Sequence, residues 1–113
     1  MKHNGVELYQ DDKGAVAVLY APGYGAGWST WNDERIAYDR RIVEMFINEP
    51  ELFRTREKVE AFLEELGYHD SYGGAGPQLR ITWIAPGEPF YIKEYDGSES
   101  IVTMERAIIF GDC

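Results

Sequence analysis

Thr55-Arg-Glu-Lys-Val-Glu-Ala-Phe-Leu-Glu-Glu-Leu-Gly67 is the stretch on which the fold turns. Val59, Phe62, Leu63 and Leu66 fall at i, i+3, i+4 and i+7, the spacing of one helix face. Thr55 stands where an N-cap belongs, and Gly67 stands where the chain leaves a helix. The other face carries Glu57, Lys58, Glu60, Glu64 and Glu65, a pattern that reads as a solvated face or as an acidic docking surface. Upstream, Asn32 followed by Asp33 and Glu34 predicts the start of a further helix, because acidic side chains suit the positive end of the helix dipole. Ile36, Val43, Phe46 and Ile47 give that helix its apolar stripe, and Pro50 ends it.

Strand patterns flank the helical pair. Val6 to Tyr9 is a short candidate, and Asp11-Asp-Lys-Gly14 is a turn into Ala15-Val-Ala-Val-Leu-Tyr20, apolar throughout and therefore suited to a strand covered on both faces. Leu79, Ile81 and Trp83 alternate with Arg80 and Thr82, the period of a half-buried strand. Phe90 to Tyr95 follows, and Asp96-Gly97 predicts a tight turn into Ile101 to Met104. Ala107 to Phe110 reads equally as a closing strand or a short helix. Strands at both ends around two helices define an α+β class, a mainly antiparallel sheet with the central pair of helices packed on one face.

The chain has 113 residues, 11 Lys and Arg against 20 Asp and Glu, and a net charge of -9. One domain spanning 1–113 accounts for that length, and with 44% hydrophobic and 14% aromatic residues it has material for a core without disulfides. Cys113 is the one cysteine, which excludes a disulfide framework and fits a reducing, cytoplasmic setting. No apolar run reaches the roughly 20 residues of a membrane span, and Met1-Lys-His-Asn-Gly5 has no signal-peptide character. The acidity opposes partners that are long nucleic acids or anionic membranes.

Catalytic and metal patterns are thin. His3 and His69 stand far apart without second ligands, so no metal or other cofactor is expected. His69 beside Asp70 reads as a surface turn before it reads as a base and its orienter. No nucleophile or acid/base pair stands out, and the chain does not read as an enzyme.

Two segments remain as binding candidates. Pro22-Gly-Tyr-Gly-Ala-Gly-Trp-Ser-Thr-Trp-Asn32 places Gly23, Gly25 and Gly27 between a strand and a predicted helix, where backbone N–H groups approach an anion closely. It is neither a Walker loop, lacking Gly-Lys-Ser/Thr, nor a dinucleotide fingerprint, since Trp28 stands at its third glycine. Trp28 and Trp31 either stack on a base or wedge the helix on the sheet; Ser29 lies between them. Phe90-Tyr-Ile-Lys-Glu-Tyr-Asp-Gly-Ser-Glu-Ser100 offers aromatics on a strand followed by a polar turn, a stacking face beside hydrogen-bonding groups, or an ordinary amphipathic hairpin. Arg40, Arg41, Arg80 and Arg106 are the candidate phosphate or stacking partners, with Arg40 and Arg41 alternatively paired to Asp39 and Glu44.

Taken together, Ala21-Pro-Gly-Tyr-Gly-Ala-Gly-Trp-Ser-Thr-Trp-Asn32 and Phe90 to Ser100, spaced by the helical pair, resemble the Thoeris anti-defence sponge proteins of tailed phages and prophages. That family sequesters cyclic ADP-ribose isomers without cleaving them, and some members hold cyclic oligonucleotides at a separate site. The resemblance implies a homo-oligomer with pockets near subunit contacts, working in the cytoplasm of the host. It gives Phe90 to adenine stacking, Asp96 and the turn to Ser100 to polar ligand groups, and Arg106 to the base or phosphates. The glycine loop would add phosphate contacts or part of an interface. Ser100 stands where an amide-bearing residue is expected and reaches less far. Sequestration needs a nanomolar dissociation constant, about 12 kcal/mol. The competing reading is an acidic protein inhibitor whose carboxylates, Glu60, Glu64 and Glu65 among them, imitate DNA phosphates before a nuclease. A small hydrolase or lyase is the third.

Overall fold

The computed structural model describes residues 1–103. In chain order they form β1 (Lys2–His3), β2 (Val6–Glu7), β3 (Val16–Tyr20), α1 (Arg40–Asn48), α2 (Arg56–Glu65), β4 (Arg80–Ile84), β5 (Phe90–Tyr95) and β6 (Ser98–Thr103), with short 3-10 turns between. All pairing is antiparallel: β1 with β2, β3 with β4 from Val16 opposite Ile84 to Tyr20 opposite Arg80, and β5 with β6 from Phe90 opposite Thr103 to Tyr95 opposite Ser98. The α+β class holds, and among the described residues the strands are three antiparallel pairs rather than one broad sheet. The predicted elements at Met104 and at Ala107 to Phe110, with Arg106 and Cys113, lie outside the described residues.

β3 is apolar at every position because both of its faces are covered. Ala17 and Leu19 face Ile42 and Val43 of α1, Val59 and Leu63 of α2, and Trp28 and Phe53. Val16 and Val18 face the other way, into Leu8, Tyr38, Ile84 and Ile101, with Phe90 and Ile92 packed alongside. The two helices therefore cover one face of β3 and the β5–β6 hairpin the other. Removing a buried methyl-rich side chain such as Leu63 costs about 2–5 kcal/mol in a core of this kind.

α2 begins after Thr55 and ends before Gly67, whose φ of +96° suits the left-handed exit. The Thr55 hydroxyl makes no capping hydrogen bond. The other helix does not begin at Asn32. Asp33 instead caps a 3-10 turn over Glu34–Ala37, and α1 starts seven residues later behind Asp39, whose carboxylate accepts from Arg41 N–H. Ile36 and Val43 share a core although they belong to different elements, which is why they imitate one helical stripe.

Candidate functional site

The glycine loop is an anion cradle, and the chain supplies the anion. Glu99, 2% exposed, points from β6 into the loop. Its Oε1 accepts the Ala21 N–H at 3.0 Å, and its Oε2 accepts the Trp28 N–H at 2.8 Å, the Thr30 N–H at 3.0 Å and the Thr30 hydroxyl at 2.6 Å. Gly25 N–H donates to the Asp96 carbonyl at 2.7 Å, and a Cβ on Gly97 would run into the Ala26 main chain. The loop and the hairpin turn are thus pressed together along their backbones. The main-chain amides that hold the carboxylate are those of Ala21, Trp28 and Thr30; none of the three glycine N–H groups donates to Glu99. Trp28 is wholly buried, its indole donating to the Ile36 carbonyl at 3.1 Å, and it packs in the core against Phe53. Ser29 is buried as well, and its Oγ makes no hydrogen bond within the described residues.

The hairpin separates the residues grouped on it. Partners across a ladder share a face, and neighbours along a strand alternate. Phe90, Ile92 and Glu94 therefore share the inner face with Ile101 and Glu99, while Lys93 and Ser100 lie on the outer one. Phe90 and Asp96 are six residues apart, about 20 Å of extended chain. Within one chain, Phe90, Asp96 and Ser100 do not converge.

Phe90 does line a recess. A cleft of about 250 Å³ opens between the β1–β2 hairpin and the β4–β5 connection, walled by Leu8, Val16, Ile84, Pro89 and Phe90, with Lys2 and His3 beside them. The Phe90 ring, half-buried, meets Tyr38 edge-on at 6.0 Å and His3 at 5.9 Å; His3 and Tyr38 are 4.9 Å apart, also edge-on. Tyr38 is fixed in turn, its hydroxyl accepting from Asn4 Nδ2 at 2.6 Å and donating to Glu34 at 2.8 Å, and burial first and Glu34 second hold its pKa above the ordinary tyrosine value. His3 and Tyr38 belong to this site with no motif to mark them in the sequence. The alternation of apolar residues around Phe90 was the sole available signal.

The arginines divide. Arg41 forks onto Asp39 at 2.7 and 3.1 Å, and Arg40 reaches Glu44 at 3.5 Å. Asp39 is buried, and it also accepts the Tyr68 hydroxyl at 2.7 Å. Burial raises its pKa, but Arg41 and Tyr68 outweigh burial and hold the carboxyl below its ordinary value. Arg80 is exposed and makes no ion pair among the described residues; with Gly23, Pro22 and Gln78 it lines an open groove of about 480 Å³. Of the acidic trio on α2, Glu60 is paired with Arg56 and the Gly73 N–H, and Glu64 with His69. Glu65 is exposed.

Among the described residues no three His, Cys, Asp or Glu side chains converge as metal ligands, and no helix is long and apolar enough to cross a membrane. No family model, no curated protein and no solved structure matches the chain.

Proposed function

We propose that the chain is a non-catalytic binding protein that sequesters a cyclic nucleotide signal, a cyclic ADP-ribose isomer in the first instance, with the base seated against Phe90. In this reading it is a phage-encoded anti-defence protein acting in the host cytoplasm. The observation that carries it is Phe90, a half-buried ring braced by Tyr38 and His3 on the wall of an apolar recess. A ring held in this way loses little freedom when a base stacks on it.

The recess, about 250 Å³, falls below the roughly 300–1,000 Å³ typical of ligand sites. It suits a base, leaving ribose and phosphates at the mouth near Lys2 and His3. A second subunit closing over that mouth completes the enclosure, and this is the reason for a homo-oligomer. Asp96 and Ser100 reach the same ligand only from a neighbouring copy. The glycine loop, already engaged with Glu99, is assigned to shaping the molecule rather than to holding phosphate.

Calorimetry with cyclic ADP-ribose isomers, followed by heat denaturation and chromatography of the supernatant, tests the proposal. Nanomolar binding with intact ligand returned is expected; release of a cleaved product would make the protein an enzyme, and no binding of any isomer would refute the reading. Phe90→Leu preserves packing while removing the stacking ring and is expected to weaken capture at least about tenfold, the equivalent of ~1.4 kcal/mol. The inhibitor reading is favoured by the exposed Glu57 and Glu65 on α2. It predicts salt-sensitive binding to a nuclease that neutralising Glu60, Glu64 and Glu65 weakens and Phe90→Leu leaves unchanged.

A further inference from the structure

Trp31 is 45% exposed and nevertheless fixed. Its Nε1 donates to Glu94 Oε2 at 3.2 Å. Gly27 lies against the indole so closely that a Cβ there would stand 2.6 Å from Trp31 Cδ1. On one side the ring meets Tyr72, centroids 6.0 Å apart and planes tilted by 33°. Tyr72 is backed by the Arg56 guanidinium, 4.6 Å from its ring centroid. The Tyr72 main chain is tied to Asn32 by two hydrogen bonds of 2.8 Å, and Arg56 is held by Glu60 at 2.8 Å. Arg56, Tyr72 and Trp31 thus form a braced stack that ends in an exposed indole.

The charge at that end is negative. Glu94 uses Oε2 for both Trp31 and the Gly97 N–H at 2.8 Å, and these contacts, the Gly97 N–H first, hold its pKa below the ordinary glutamate value. Its Oε1 makes no hydrogen bond among the described residues. Asp96 stands two residues further on, exposed. A fixed indole face beside an ionised carboxylate with a free oxygen disfavours phosphate and favours a planar cation. Guanidinium lays its plane on an aromatic face while donating an N–H to Oε1, the Glu94 oxygen that Trp31 and Gly97 leave over. Ammonium is also drawn to the ring and also donates N–H groups, but it has no plane to stack and is held more tightly by water.

We propose that the shelf formed by Trp31 and Glu94 docks an arginine side chain from a basic partner segment. The occupant follows from charge complementarity on a chain of net charge -9, narrowed to arginine by the planar face. The shelf lies apart from the Phe90 recess, Glu94 being four residues along β5 from Phe90, about 13 Å of strand, and Trp31 and Glu94 have no part in the nucleotide reading, which shares Asp96 alone.

Two peptides of equal length and charge, one an arginine-glycine repeat and the other a lysine-glycine repeat, test it by calorimetry at fixed ionic strength. The arginine peptide is expected to bind about two- to fivefold more tightly, the range of one exposed cation–π contact. Trp31→Ala should erase that preference while leaving the weaker charge-driven binding of both peptides, Trp31→Phe should retain part of it, and Glu94→Gln should reduce it. Equal affinity for the two peptides, or a preference that survives Trp31→Ala, overturns the proposal. Adenosine monophosphate is the control ligand: if it quenches Trp31 fluorescence and the arginine peptide does not, the shelf is a base platform and the proposal fails. Sedimentation is run in parallel, and self-association abolished by Trp31→Ala would make a second copy the occupant, which also overturns it.

Discussion

Four donors converge on the Glu99 carboxylate, and three of them are main-chain amides that no other described residue satisfies. Truncation leaves those amides buried and unpaired, which is more damaging than loss of the bonds themselves. Glu99→Ala is expected to lower stability by about 3–5 kcal/mol, and Glu99→Gln, which keeps one acceptor oxygen, by about 1–3 kcal/mol. Urea denaturation measures both; a Glu99→Ala midpoint equal to wild type would remove Glu99 from its place as the loop's anchor. The glycine stretch reads as a loop that offers backbone amides to a bound phosphate, whereas the amides engaged are those of Ala21, Trp28 and Thr30 and their acceptor is a carboxylate. That this carboxylate lies 71 residues away from Trp28 in the same chain was not legible. A trace existed: in Ser98-Glu-Ser-Ile101, alternation puts Glu99 on the face of buried Ile101, and a carboxylate on a core face requires partners.

At the scale of elements, two glycines with similar φ make a controlled comparison. Gly67 at the end of α2 has φ +96° and nothing within 4 Å of a would-be Cβ, so Gly67→Ala suffers backbone strain alone, about 1 kcal/mol. Gly97 in the β5–β6 turn has φ +85°, and its would-be Cβ meets the Ala26 backbone. Gly97→Ala is therefore expected to cost about 2–3 kcal/mol or more, strain plus displacement of the glycine loop. Thermal melts of the two variants check the order, and equal shifts would mean the turn and loop are not in rigid contact. Asp96-Gly97 was readable as a turn because positive φ at both positions, +48° and +85°, selects those residue types. The start of α1 was not. Asp33 and Asp39 are both followed two residues on by an arginine that folds back onto the carboxylate, and the first of these pairs caps a 3-10 turn that sequence alone does not distinguish from a helix.

For the whole molecule, two groups bound a stability window in pH: Asp39, held down against its burial by Arg41 and then by Tyr68, and Tyr68, raised by burial and then by Asp39. Asp39 has its pKa lowered in the fold, so its contribution is present above the unfolded value near 4 and is lost as pH falls below it. Tyr68 has its pKa raised to about 12, by burial and then by Asp39, so its contribution is full below the ordinary tyrosine value and is lost as pH rises through about 12. Asp39→Asn should flatten the acid limb of a stability-against-pH curve, and Tyr68→Phe the alkaline limb. Unchanged limbs in both variants would contradict the assignment. The α+β class was legible from β3 and α2, because each is covered in a way its own sequence records. The Phe90 cleft was not, since its walls come from residues 1–3, 8, 16 and the segment from 84 to 90, and take shape only when those parts meet.

The distance in sequence between Glu99 and the loop it anchors also orders events in time. Ala21, Trp28 and Thr30 leave the ribosome well before residue 99 is made, and contacts of such long separation form late in folding. In a nascent chain the amides of Ala21, Trp28 and Thr30 have no Glu99 to donate to until β6 emerges. Closure of the loop thus waits on the release of the last strand described.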